Sequence, residues 1–124
     1  MPITNTYGNK ALDTMFAAPR YLALLTGDPG PTGLMTQEFV GGGYVRKLSG
    51  FSTAASKSVG IYNSNVSVWW SDLPNLPIRF IAVCTAISGG EMVAYKATGA
   101  DIYVTAGNKF ILNDGWVAFT ISDV

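Results

Sequence analysis

The side chains best suited to acid-base or metal chemistry are eight carboxylates, Asp13, Asp28, Glu38, Asp72, Glu91, Asp101, Asp114 and Asp123. Most have turn-like surroundings, near glycine or proline, and read as exposed turn and cap residues. A glycosidase-like pair of acids would need tertiary contact that no spacing here imposes. Histidine is absent, which removes the commonest general base and the commonest metal ligand together. The single cysteine, Cys84, lies in the apolar run 81–87, where a thiol packs as a small hydrophobe. It leaves no disulfide to form within one chain. Gly41-Gly-Gly43 lacks the Gly-Lys-Ser/Thr and following helix of a phosphate loop. Asp28-Pro-Gly30 lacks the spaced acids of a calcium loop. The expectation is therefore no catalytic residue, no cofactor and no metal.

Binding chemistry is better represented. Trp69, Trp70 and Trp116 accompany six tyrosines, and such rings serve both interfaces and sugar platforms. Adjacent Trp69 and Trp70 on one strand must point to opposite faces, so at most one is core and the other is interface or ligand surface. Leu34, Met35, Phe39, Val40 and Tyr44, in and just after a glycine-rich stretch, complete a candidate interface with the two tryptophans.

These residues are positioned by a chain of 124 residues, about the size of one domain. Hydrophobic residues make up 48% and charged residues 13%, against about 25% charged in an average soluble domain. So few charges predict apolar patches beyond those usual on a monomer, and hence self-association. The formal net charge is zero, so no long-range field favours nucleic acid or a membrane surface. The start of the chain, Met1-Pro-Ile-Thr-Asn5, has no secretory pattern, and no apolar run reaches the length of a membrane helix. Assembly in a cytosol is the expectation.

Residues 1–19 read as an N-terminal segment with one short helix over Asn9–Ala17, where Ala11, Leu12, Met15 and Phe16 form an apolar stripe and Asn5, Thr6 or Asn9 is the cap. Residues 20–124 read as a β-domain. Tyr21–Thr26 is a buried strand before the Gly27-Asp-Pro-Gly-Pro breaker. Residues 27–43 form a long glycine-rich loop whose Leu34, Met35, Phe39 and Val40 need a surface to cover, which suggests an arm. Short strands follow over Tyr44–Leu48, Phe51–Ala54, Val59–Tyr62 and Val66–Trp70. The Gly89-Gly90 pair predicts a two-residue hairpin turn, placing Ile87 opposite Met92, Val83 opposite Lys96 and Cys84 opposite Tyr95. Both faces of that hairpin are apolar, so each needs a cover. Strands over Asp101–Thr105, Lys109–Leu112 and Trp116–Ile121, with Asn113-Asp-Gly115 between the last two, predict a hairpin that closes the chain. The expected class is mainly β, a single antiparallel sandwich of jelly-roll-like form. Leu22, Leu24, Ile81, Val83, Phe110, Ile111, Phe119 and Ile121 are its core candidates.

Tyr21-Leu-Ala-Leu-Leu-Thr-Gly-Asp-Pro29, Gly41-Gly-Gly-Tyr-Val-Arg46, Ala54-Ala-Ser-Lys-Ser58, Ile61-Tyr-Asn-Ser-Asn-Val-Ser-Val68, Ile87-Ser-Gly-Gly-Glu91 and Ala106-Gly-Asn-Lys-Phe110 occur in this order. Together they make the chain resemble, over roughly residues 11 to 122, small tailed-phage virion proteins labelled tail-fibre, minor tail or capsid decoration proteins. The apolar Ile81-Ala-Val-Cys84 before the Gly-Gly pair departs from the more polar residues common there. The resemblance implies a β-sandwich without enzyme activity that associates with itself and attaches to a larger assembly. The expected partners are copies of this chain, as a homotrimer, and a major capsid protein or other virion protein. Decoration of the capsid surface is the leading expectation. The alternative is a tail-fibre or tail-tip module that binds the host surface through an exposed ring.

Overall fold

A computed structural model describes residues 3–33, 35–62, 67–105, 108–113 and 117–120. It is mainly β with antiparallel sheets and one helix. The helix, α1, spans Asn5–Met15, starting and ending earlier than expected. Thr4 is its N-cap, in an extended conformation and accepting a hydrogen bond from the Tyr7 amide, so one orphan donor of the first turn is satisfied there and not at residue 9. Leu12 and Phe16 face inward, and Phe16 meets the rings of Phe51 and Phe119 at 4.8 and 5.2 Å. Two polar residues of α1 hold the neighbouring loop: Asn9 Oδ1 accepts from the Lys57 amide and Asp13 Oδ1 from the Ala54 amide, each at 2.8 Å. The N-terminal segment is thus fastened to its own domain.

β1 (Arg20–Leu25) lies inside a four-stranded sheet of order β2-β1-β5-β6, with β2 at Lys47–Ser49, β5 at Ile78–Cys84 and β6 at Met92–Ile102. Its aliphatic run Leu22-Ala-Leu-Leu25 can be central because both its faces are covered. One face contributes Leu22 and Leu24, with Ile81 and Val83 of β5, to the main core. The other contributes Ala23, Leu25, Ala82 and Cys84, against which Met35, Phe80, Met92 and Tyr95 pack. Over the main core lie two strand pairs, β3 (Ser58–Gly60) with β8 (Ala118–Thr120) and β4 (Val68–Ser71) with β7 (Lys109–Leu112). Trp70, Val68, Leu112, Val59 and Val117 supply their share of the core, together with Leu12 and Phe16. The packing is sandwich-like, but the described ladders make one four-stranded sheet and two separate pairs, whereas a jelly roll closes from two larger sheets.

Several local expectations change, and Phe51–Ala54 holds only an isolated bridge from Phe51 to Ile61 in place of a strand. The β5–β6 hairpin exists, but β5 stops at Cys84 and the turn is longer than Gly89-Gly90. Val83 pairs with Ala94 and Ile81 with Lys96, a slip of two residues from the expected register. A slip of two preserves the face of every side chain, since the period of a strand is two. A register irregularity between Val83 and Cys84 then brings Met92 opposite Cys84. The final hairpin does not form as a ladder, because β7 pairs with β4 and β8 with β3; residues 114–116 and 121 lie outside the described set. Asp101–Thr105 is not a separate strand, since its first two residues extend β6 to Ile102. Of the core candidates, Phe110 and Phe119 are partly buried against the main core, Ile111 faces solvent, and Ile121 lies outside the described residues.

The loop over residues 27–43 is folded back as a cover and does not leave the domain as an arm. The Thr26 amide donates to Gln37 O at 2.8 Å, the Phe39 amide to Leu24 O at 3.0 Å, and the Gly43 amide to Asp72 O at 2.7 Å. A 3-10 turn at Met35–Gln37 sets Met35 onto the outer face of the sheet, which satisfies within one chain the second cover that the two-faced strands require.

Candidate interaction surface

Two sites emerge from this fold, one polar and interior, the other aromatic and exposed. The interior one is built by the returning loop. Glu38 bridges to Leu25 beside β1, and its carboxylate receives Arg46 Nε at 2.8 Å and Nη2 at 2.9 Å. The Tyr44 hydroxyl also donates to Glu38 and itself accepts from the Leu24 amide. Arg46 is only 6% exposed, and its Nη1 donates to both Ala86 O and Gly89 O at 2.8 Å. A forked guanidinium can serve a carboxylate and two carbonyls at once because its donors are fixed in one plane. The network explains the longer β5–β6 turn: Arg46 gathers its carbonyls, while Gly89 and Gly90 take positive φ angles of 65° and 67° that favour glycine.

Burial, followed by the hydrogen bond to Glu38, pushes the Tyr44 phenol far above its ordinary value of 10.0. Burial likewise raises the Cys84 thiol above 9.0. Each group is folded best while neutral, so its stabilisation is complete below its unfolded pKa and is lost as pH rises from there toward the folded value. Unfolding free energy should therefore fall above about pH 9 to 10, with the Tyr44 part approaching about 1.4 kcal/mol per pH unit. Urea titrations between pH 8 and 11 test this, and Tyr44→Phe should flatten the steeper part. At the far end of β5, Arg79 holds the exposed Asp101 below its ordinary range through hydrogen bonds of 2.8 and 3.0 Å, a surface pair of small energetic weight.

The exposed site is the outer face of the β4–β7 pair. Trp69 stands directly opposite Ile111 and Trp70 opposite Phe110. The alternation sends Trp70 into the core with 0% exposure, its Nε1 donating to Val45 O at 2.8 Å, and leaves Trp69 44% exposed. Lys109 Nζ lies 4.2 Å and Lys47 Nζ 5.7 Å from the Trp69 ring centroid, close enough for attraction to the ring quadrupole. Neither ammonium has a carboxylate partner among the described residues.

The seven candidate interface residues separate accordingly. Trp69 and the 80% exposed Val40 are on the surface. Phe39, 2% exposed, and Trp70 belong to the main core, which removes both from any contact surface of the folded chain. Tyr44 is half-buried in the Glu38–Arg46 network, with its ring 5.8 Å from that of Phe39. Met35 is half-buried on the outer face of the sheet, and Leu34 lies outside the described residues. Ile111, Lys47, Lys109 and Ile87 were not legible as surface partners. The Trp69–Ile111 pairing spans some forty residues, and only the alternation of Lys109-Phe-Ile-Leu112 hinted at which side chain would face out.

Elsewhere, a largely apolar cleft of about 270 Å³ opens between β6 and β7, lined by Ile81, Lys96, Ala97, Thr98, Ile102, Phe110, Ile111, Leu112 and Val117. The two polar side chains of that lining are engaged with backbone carbonyls, Lys96 Nζ donating to Ala118 O at 3.2 Å and Thr98 Oγ1 to Ile78 O and Ala100 O at 3.2 and 2.7 Å. Among the described residues no three metal-ligating side chains cluster, and no helix is long and apolar enough to cross a membrane. Searches of curated proteins and of solved structures gave no match. One family model does match, that of the podophage GP4 fiber I protein gp80, over residues 2–120. That span takes in α1, all eight strands and both sites, and the chain belongs to this family of phage fibre proteins.

Proposed function

We propose that the chain is a non-enzymatic structural subunit of a virion fibre, and that it works by associating with copies of itself as a homotrimer. The observation that carries this reading is the Trp69–Ile111 face, an aromatic and aliphatic stripe left on the outside of a sandwich whose core is already closed. In a chain with 13% charged residues such a stripe is better explained by a protein contact than by solvent. Family membership supports a place in the virion. Sedimentation equilibrium should give a mass about three times the 13.2 kDa of one chain. A monomer at every concentration would overturn the proposal.

A second reading, decoration of the capsid surface beside the major capsid protein, draws support from the shape of the chain. Its one helix is short and packed on the β-domain, with neither heptads nor an internal repeat to form a stalk. Immunogold labelling of particles separates the two readings, with label on fibres expected and label spread over the head favouring decoration. If the fibre also contacts the host, Trp69→Ala should reduce adsorption while leaving the fold intact.

A further inference from the structure

The Trp69 face carries positive charge without a carboxylate partner among the described residues, and the same chain carries a complementary element elsewhere. Among the described carboxylates, Asp13, Asp28, Glu38 and Asp101 accept hydrogen bonds within the domain. The side chains of Asp72 and Glu91 accept none from the described residues. Asp72 directly follows β4, the strand that carries Trp69. Glu91 stands on the β5–β6 turn, and on that turn Ile87 is 59% exposed.

The turn is also held rigid. The Thr85 amide donates to Glu91 O at 2.9 Å and the Glu91 amide to Thr85 Oγ1 at 3.0 Å, while Arg46 grips Ala86 O and Gly89 O from below. The fold therefore presents a preformed knob, apolar at Ile87 and acidic at Glu91, and a separate aromatic face edged by two cations. A knob that needs no ordering loses little entropy on docking.

We infer that the Ile87–Glu91 knob of one copy docks on the Trp69–Ile111 face of the next, with Glu91 between Lys47 and Lys109. This rests on the self-association reading and specifies its contact. Apolar burial at Trp69, Ile111 and Ile87 supplies affinity, and the Glu91–lysine attraction sets register and speeds encounter. Because two different patches meet, the contact is heterologous and closes into a ring or continues as a filament. A trimer is such a ring.

Charge exchange tests this on the full chain. Wild type, Glu91→Lys, the pair Lys47→Glu with Lys109→Glu, and all three changes together are compared by sedimentation velocity, with circular dichroism confirming the fold of each. Either reversal alone should weaken association about ten-fold or more, and the combination should recover most of it. Trp69→Ala should weaken association further, whereas Asp72→Asn should leave it unchanged.

Failure of the combination to recover, or an effect of Asp72→Asn in place of Glu91→Lys, overturns the inference while leaving self-association standing. A wild-type monomer at all concentrations removes both. Unchanged assembly of Trp69→Ala, with loss of retention on an immobilised acidic polysaccharide, would reassign the face to a saccharide and also overturn the inference.

Discussion

Arg46→Met is expected to lower the unfolding free energy by about 3 to 5 kcal/mol, the cost of breaking a buried ion pair by removing one member. Replacing the guanidinium with an apolar chain of similar length removes four hydrogen bonds, two to the Glu38 carboxylate and two to the carbonyls of Ala86 and Gly89. Glu38 is left largely out of solvent with only the Tyr44 hydroxyl donating to it, and the β5–β6 turn loses its clamp. Glu38→Gln should cost less, because a neutral amide can still accept from Arg46 and carries no stranded charge. Combining the two should cost less than the sum of the singles, since the partner charge is then gone as well. Urea unfolding of the four proteins measures the cycle. Additive costs would show that Arg46 and Glu38 act independently.

Trp70→Ala and Trp69→Ala should behave oppositely although the residues are adjacent. Trp70 is fully enclosed, its ring 5.9 Å from that of Phe110 and its indole N–H on Val45 O. Truncation opens a cavity in the main core and strands that carbonyl, which should cost about 3 to 5 kcal/mol. Much of the stability of a domain this size is at stake, because totals are typically about 5 to 15 kcal/mol. Trp70→Phe should recover part of the packing but not the hydrogen bond. Trp69→Ala removes a ring already in contact with water and should change stability by about 0.5 kcal/mol or less, with its effect appearing in assembly. Thermal unfolding of the three variants checks this, and equal losses at both positions would contradict the alternation of β4.

β1 was legible in the sequence because the apolar run Tyr21-Leu-Ala-Leu-Leu25 before Gly27-Asp-Pro is too short for a helix and too apolar for a surface. Its two-sided burial followed from its having no polar face. The β5–β6 hairpin was legible from its glycines, and its faces survived the two-residue slip because side chains alternate with period two. The slip itself was not legible, since the longer turn that accompanies it is held by Arg46, some forty residues away in sequence, and an arginine near a glycine run reads by default as a solvated charge. The closing hairpin failed for the same reason in reverse. Asn113-Asp-Gly115 is a good local turn signal, yet β7 and β8 find their partners in β4 and β3, where burying Val68, Trp70 and Leu112 outweighs local closure.

What the sequence by itself determined is the class and the character of this protein: mainly β, one short helix, no histidine, few charges and the motif order of a phage virion family. These follow from composition, periodicity and turn chemistry, which act over a few residues. Only the tertiary structure decided that the glycine-rich loop covers its own sheet, that Trp70 is core while Trp69 meets Ile111 and two lysines outside, and that Arg46 holds the turn carrying Glu91. Each of these depends on which distant strands pair and in what register. That choice is made by burial of the whole apolar set at once, and no local stretch encodes it.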